Sequence, residues 1–353
     1  MNFSDIDPMV MTPDQAMQLP DDGKLAYFRK VRVKHPRVAT ILDDLETMVL
    51  PESGTDIALL IGPTGAGKST LGASLLERII KLHKDEMTAD LSFIPAVMIS
   101  APSSGEDKFS WRIFYVKLGT ALIEPLLDKK QPFRLQDGRI SVRHVTTGST
   151  VAGLRVAVED ALRYRRTLLV IIDEAVHLIR GTKGGALAAH MDALKALTIL
   201  DGVTLTLALI GSYDLYQLMC LSGQLARRSA IVHFQRYTPG VAEDEKAFKK
   251  SIEKLQKYMP LRDVPDLSQM SAELMDSCIG CVGTLKETLQ RALTFALRNK
   301  GKWTDACLAK ALLTERQITA ILEETLQGEE DIAAAVFGTG HLGFKPEIGK
   351  KAA

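Results

Sequence analysis

Residues Gly62-Pro63-Thr64-Gly65-Ala66-Gly67-Lys68-Ser69 fit the pattern G-x-x-x-x-G-K-[ST] in full. Glycines at these positions let the backbone wrap closely, so successive amide N–H groups converge on phosphate oxygens. A helix predicted to open at Lys68 adds the positive end of its dipole. The Lys68 ammonium is expected to reach the β- and γ-phosphates of a nucleotide. The Ser69 hydroxyl is expected to ligate Mg²⁺, and Thr70 to contact the α-phosphate.

A second group lies about a hundred residues on. The run Leu168-Leu-Val-Ile-Ile172 ends in Asp173-Glu174. Asp173 is expected beside the metal, and Glu174 is expected to orient and deprotonate an attacking water. A water-activating glutamate fits hydrolysis of a nucleoside triphosphate better than phosphate transfer to a substrate hydroxyl.

Three further candidates follow. Ser212 ends an apolar run and either reads the γ-phosphate or simply caps a turn. Arg227 and Arg228 sit in Gly223-Gln-Leu-Ala-Arg227-Arg228. They read as a finger offered to a neighbouring subunit's γ-phosphate, Arg228 ahead of Arg227, or as a solvated basic helix end. Lys286 opens a helix after Gly283-Thr284-Leu285 and is placed to fold over bound phosphates, although lysine lacks arginine's fork.

These groups need elements to hold them. Apolar runs at 57–61, 95–99, 168–172, 203–210 and 231–234 read as buried strands separated by helical patterns. That alternation predicts an α/β fold with a parallel sheet flanked by helices. After Tyr237-Thr-Pro-Gly240 the remaining elements read as helices, which predicts a C-terminal all-helical lid. Expected domains are an arm with a basic cluster at 1–37, a nucleotide-binding domain at 38–240, a helical lid at 241–327 and a flexible tail at 328–353. Asp137-Gly138, within an alternating stretch from Phe133 to Val142, signals a hairpin.

Other features carry less. Cys278-Ile-Gly-Cys281 is a lone C-x-x-C, read as packing at a helix junction. His177 reads as a packing residue or a partner of the acidic pair. Met9, Met11 and Met17 read as flexible contact residues. The chain has 353 residues, with 44 Lys and Arg against 43 Asp and Glu. That near-balance argues against a globally basic nucleic-acid binder. Apolar residues make up 46%, which excludes a disordered chain. No stretch approaches the ~20 apolar residues of a membrane span, and no secretory signal opens the chain, so no membrane partner is expected. Four cysteines without framework spacing fit a reducing, cytoplasmic compartment.

The order of motifs resembles the AAA+ ATPases. The stretches Lys34-His35-Pro36-Arg37, Leu59-Leu60-Ile61-Gly62-Pro63-Thr64-Gly65, Ile171-Ile-Asp173-Glu174-Ala-Val-His177-Leu, Leu209-Ile-Gly211-Ser212 and Ile231-Val-His-Phe234-Gln-Arg-Tyr237 are similar to the TniB and TnsC transposition ATPases of bacteria. The resemblance spans roughly residues 30 to 300. It implies an AAA+ core with a helical lid, ATP and Mg²⁺ as cofactors, and head-to-tail self-assembly into rings or filaments on double-stranded DNA. It also implies a DDE transposase and a TniQ-type target-selection protein as partners, with hydrolysis driving disassembly. An initiator-type, clamp-loader-like or signalling ATPase acting on proteins is the competing expectation. By the same resemblance, DNA would meet basic residues after the second strand: Lys108, Arg112 and Lys117. Arg139, Arg143 and His144 form another group, and the Arg29–Arg37 cluster a third.

Overall fold

In the computed structural model of the chain, the described residues are 11–103, 109–125, 127, 133–136, 139–142, 150–180, 185–221 and 227–337. In chain order the elements are α1 (Pro13–Met17), α2 (Asp21–Lys30), α3 (Pro36–Val49), β1 (Ile57–Ile61), α4 (Lys68–Leu82), α5 (Lys84–Ala89), β2 (Ala96–Ser100), α6 (Trp111–Ala121), β3 (Phe133–Gln136), β4 (Arg139–Val142) and α7 (Val151–Tyr164). Then come β5 (Leu169–Asp173), α8 (Gly185–Thr198), β6 (Thr206–Gly211), β7 (Ser229–His233), α9 (Ala242–Lys257), α10 (Ser271–Ser277), α11 (Val282–Arg298), α12 (Asp305–Ala309) and α13 (Glu315–Phe337).

The chain folds into two compact units. A sheet unit takes Thr40–Ile61 and Lys68–His233; a helical unit takes Met1–Ala39, Gly62–Gly67 and Phe234–Ala353.

In the sheet unit five strands run in the order β2-β5-β6-β1-β7, every pairing parallel. The strands are near-continuous Ile, Leu and Val because helices cover both faces of such a sheet. All five residues of β1 are buried. Helix α4 packs closely on the sheet at Gly72, where a Cβ would crowd Ile210 Cδ1 at 2.5 Å. Parallel register gathers the strand C-termini at one end: Ile61 pairs with Gly211 and with His233, and Ser100 pairs with Asp173. The hairpin expected from the sequence forms, with β3 and β4 antiparallel and Gln136 opposite Arg139. Its Asp137-Gly138 turn lies outside the described residues.

The helical unit has its own core of Tyr27, Phe28, Phe248, Ile252, Leu285 and Leu289. One expectation is corrected here. The N-terminal arm expected at 1–37 packs, in its described part, on this core. Thr12 and Gln15 form a capping box that starts α1, and Ala16, Tyr27 and Phe28 are fully buried in this core. Their burial also sets Met11 against the core. The helix before the C-terminus does not stop at Gln327. It continues to Phe337, with Ile332 buried and Glu329 receiving both the Nε and an Nη of Arg236 at 3.0 and 3.2 Å. Residues 338–353 lie outside the described residues. Among the described residues no helix is long and apolar enough to cross a membrane.

The Lys34-His35-Pro36-Arg37 stretch is structural in this unit. The His35 ring stacks on Phe234 at 6.0 Å, and its Nδ1 meets the Tyr237 hydroxyl at 2.9 Å. Arg37 lies over the Tyr237 ring at 4.4 Å, grips Asp244 with NH2 at 2.7 and 2.8 Å, and donates to the Gln235 and Arg236 carbonyls. Arg37 therefore leaves the group of DNA candidates. Burial first, then the Arg37 and Lys254 charges, hold the His35 pKa down at about 4. A folded-state pKa below the unfolded 6.5 means the unfolded chain binds the proton more readily between these values. Stability contributed by neutral His35 is thus complete above pH 6.5 and is lost as pH falls towards about 4. The loss by that pH is on the order of 3 kcal/mol. Thermal unfolding followed from pH 7 to 4 should show this decline in the native chain and a shallower one in His35→Gln. Identical slopes would contradict it.

Candidate nucleotide site

The loop 62–67 leaves β1 and enters α4 at Lys68. Gly65 has φ +79° and Gly67 φ +102°, values that an L side chain rarely adopts. Ala66 N–H donates to the Pro63 carbonyl at 3.2 Å, which closes the turn. Gly62, Pro63 and Ala66 are buried, while Thr64, Ser69 and Thr70 are exposed.

The loop is held from within the helical unit. Gly62 lies so close to the Phe234 carbonyl that no Cβ fits between them. The Thr284 amide in the first turn of α11 donates to the Gly65 carbonyl at 2.9 Å. Gly283 presses on the same carbonyl, and a Cβ there would overlap it. Sequence reasoning passed over this contact. Its signal was Gly283 itself, a poor helix former inside the first turn of a helix, where it permits close backbone approach. Lys286 does not stand free over the loop. Its Nζ donates to the Arg29 carbonyl at 2.7 Å, and burial followed by the Arg32 charge lowers its pKa.

In the sheet unit, Asp173 ends β5 in the row of strand C-termini, and its Oδ1 accepts the Glu174 amide at 2.9 Å. Glu174 has φ +54° and ψ +33°, a left-handed conformation at a non-glycine residue. This strain, of order 1–3 kcal/mol, breaks β5 sharply and leaves the Glu174 carboxylate exposed. His177 lies on the short 3-10 turn Ala175–Leu178 that follows. Ser212 follows β6, accepts the Leu215 amide with its carbonyl and donates its hydroxyl to Asp214 at 3.4 Å. Across the intervening strand β1, the Tyr213 hydroxyl meets His233 Nε2 at 3.1 Å.

Arg228 lies at the other end of this sheet. It precedes β7, its carbonyl accepts the Asp56 amide at 2.9 Å, and its NH1 reaches Asp56 Oδ2 at 3.2 Å. Asp56 precedes β1, so the five residues of β1, about 16 Å, separate Arg228 from the row of strand C-termini. Arg227 beside it is exposed. Of the basic candidates after β2, Arg112 is exposed on the first turn of α6, and Lys117 donates to the Ser100 carbonyl at 3.0 Å. Arg139 is the first residue of β4. Lys108, Arg143, His144, Met9 and the stretch 222–226 lie outside the described residues.

Cys278 and Cys281 are buried at the junction of α10 and α11, and burial pushes the Cys278 thiol up to about 12. Among the described residues no group of three or more His, Cys, Asp or Glu is arranged to hold a metal. The Mg²⁺ expected beside a nucleotide is a different case: a hydroxyl and a carboxylate suffice, because water and phosphate complete its shell. Ser69 and Asp173 offer a hydroxyl and a carboxylate of that kind.

The comparisons agree with this architecture. The family described as AAA domain matches residues 52–219. The fold is that of an AAA+ P-loop NTPase. The ORC2 protein of Aeropyrum pernix in its ADP form is similar over 78% of this chain and 65% of that one, at 15% identity and a TM-score of 0.52. The ORC1 protein of Aeropyrum pernix in complex with DNA is similar over 84% and 67%, at 17% identity and a TM-score of 0.55. At such identities the likeness is one of fold, and this chain spans about two thirds of the length of those proteins. No curated protein matches the chain at a significant level.

The contact of α11 with the AAA+ phosphate loop is testable. Gly283→Ala forces the Gly65 carbonyl to move, because its neighbour is backbone rather than a flexible side chain. At about 1–3 kcal/mol for such overpacking, a fluorescent ATP analogue should bind roughly 10- to 100-fold more weakly. Unchanged affinity in a folded variant would show that α11 does not shape the loop.

Proposed function

We propose that the chain is a DNA-dependent ATPase that assembles head-to-tail on duplex DNA and regulates transposition. In this reading residues 62–67 and Lys68 bind the phosphates of ATP, with Thr70 at the α-phosphate. Ser69 and Asp173 hold Mg²⁺, which neutralises charge on the phosphates. Glu174 takes the proton of the attacking water, and Ser212 positions that water or the γ-phosphate. Lys286 is a lesser candidate, since its ammonium is bonded to the Arg29 carbonyl.

The observation that carries the reading is Arg228. It stands a full strand length from the C-terminal end of its own sheet, so it cannot serve the site of its own chain. A neighbour stacked head-to-tail receives it, which ties hydrolysis to assembly. The half-exposed pair with Asp56 adds little stability, so the guanidinium exchanges readily onto a phosphate. The transposition role, with a DDE transposase and a TniQ-type protein as partners, rests on the resemblance of the sequence motifs alone. An initiator-type role is the second reading, favoured by the likeness in fold to ORC proteins, one of them in complex with DNA. Microscopy with a non-hydrolysable ATP analogue separates the two. Polymers that lengthen with the duplex support the first, and discrete complexes of fixed size support the second.

Two substitutions test the assignments. Glu174→Gln should lower turnover on the order of 10²–10⁴-fold while ATP still binds, leaving assemblies that do not disperse. Normal dispersal would remove Glu174 as the base. Arg228→Ala should cost on the order of 10³-fold or more in turnover, and mixing it with Glu174→Gln chains should restore part of the activity at shared interfaces. No restoration would mean that Arg228 does not act on a neighbour.

A further inference from the structure

The chain as a whole is nearly neutral, but the helical unit concentrates positive charge on one face. The segment 31–35 between α2 and α3 forms neither helix nor strand, with Val31 and His35 buried and Arg32 and Lys34 exposed. Alternation of this kind turns one set of side chains to the core and the other to solvent. Arg29 and Lys30 at the end of α2 are exposed as well. Both ends of this basic segment are pinned by further cations: Lys286 Nζ on the Arg29 carbonyl at 2.7 Å, and Lys254 Nζ on the Lys34 carbonyl at 2.8 Å.

Lys254 belongs to a stripe along α9. Lys246, Lys250, Lys254 and Lys257 recur at spacings of four, four and three, which keeps them on one helix face, and all are exposed. Glu243 and Glu253 share that face. The other acids of the first turn are engaged elsewhere: Asp244 with Arg37 and the Thr238 amide, Glu245 with the Gly240 amide. Burial is the main cause that lowers the Lys286 and His35 pKa values, with smaller contributions from Arg32 for the first and from Arg37 and Lys254 for the second. Gathering like charges opposes folding, and a bound polyanion offsets that cost.

We propose that the basic segment 29–34 and the lysine stripe of α9 form one surface that binds the backbone phosphates of duplex DNA. Arg32 and Lys34, two residues apart and both exposed, offer adjacent cations to a charged backbone. The proposal rests on the DNA-binding part of the reading above and not on hydrolysis.

The test uses the full chain with a non-hydrolysable ATP analogue and a fluorescent duplex of about 30 base pairs, over about 50–200 mM salt. Arg32→Gln, Lys34→Gln, Lys250→Gln and Lys257→Gln are combined in one variant. Each lost phosphate contact lowers the slope of log affinity against log salt by about 0.9, so a drop of about 3 to 4 is expected, with affinity at least about 10-fold weaker. ATPase activity without DNA and self-assembly without DNA should be unchanged. An unchanged slope in a variant whose parent binds DNA overturns this surface but leaves DNA binding itself standing. A parent chain that binds no duplex, yet binds polyglutamate through these residues, overturns the surface and the DNA-binding reading together.

Discussion

A backbone hydrogen bond from the Thr284 amide to the Gly65 carbonyl ties the loop 62–67 to the first turn of α11. Glycines in left-handed conformations make the loop able to wrap an anion, and the same freedom leaves it without a shape of its own. The shape comes from backbone pressed on backbone: Gly62 on Phe234, and Gly65 on Gly283 and Thr284. The loop therefore belongs to the helical unit by its contacts and to the sheet only by its covalent ends. In the reading proposed above, phosphate groups in this loop would act on α11 through the Thr284 to Gly65 contact.

The sheet unit contributes polarity in the geometric sense. Parallel pairing collects Asp173, Glu174 and Ser212 at one end and leaves Arg228 at the other. The acidic strand ends and Arg228 thus lie at opposite ends of one sheet. The strained backbone at Glu174 fits this division, because the abrupt end of β5 exposes the carboxylate beside the strand tips instead of continuing the buried run.

Much of this was legible in the residues. The five strands announced themselves as apolar runs, and each formed within a few residues of its expected span, because strands buried on both faces have little choice of composition. The Asp137-Gly138 signal gave the hairpin. The packing of the N-terminal arm was not legible because α2 is largely polar, and only contact with distant helices buries Tyr27 and Phe28. The extent of α13 was missed because Gly328 looked like a stop, whereas Glu329 is fixed by Arg236, 93 residues away. Arg37 was grouped with DNA candidates by charge, and Asp244, which claims it, lies 207 residues on. Local patterns identify local structure; pairings over such separations are decided by the assembled core.

The account turns on the phosphate loop and the first turn of α11 acting as one body. Amide hydrogen exchange, followed residue by residue with and without an ATP analogue and Mg²⁺, tests this most directly. The account predicts that the nucleotide slows exchange in 62–70 and in 282–285 together, with matching dependence on nucleotide concentration. Protection of 62–70 with no change at 282–285 would contradict it.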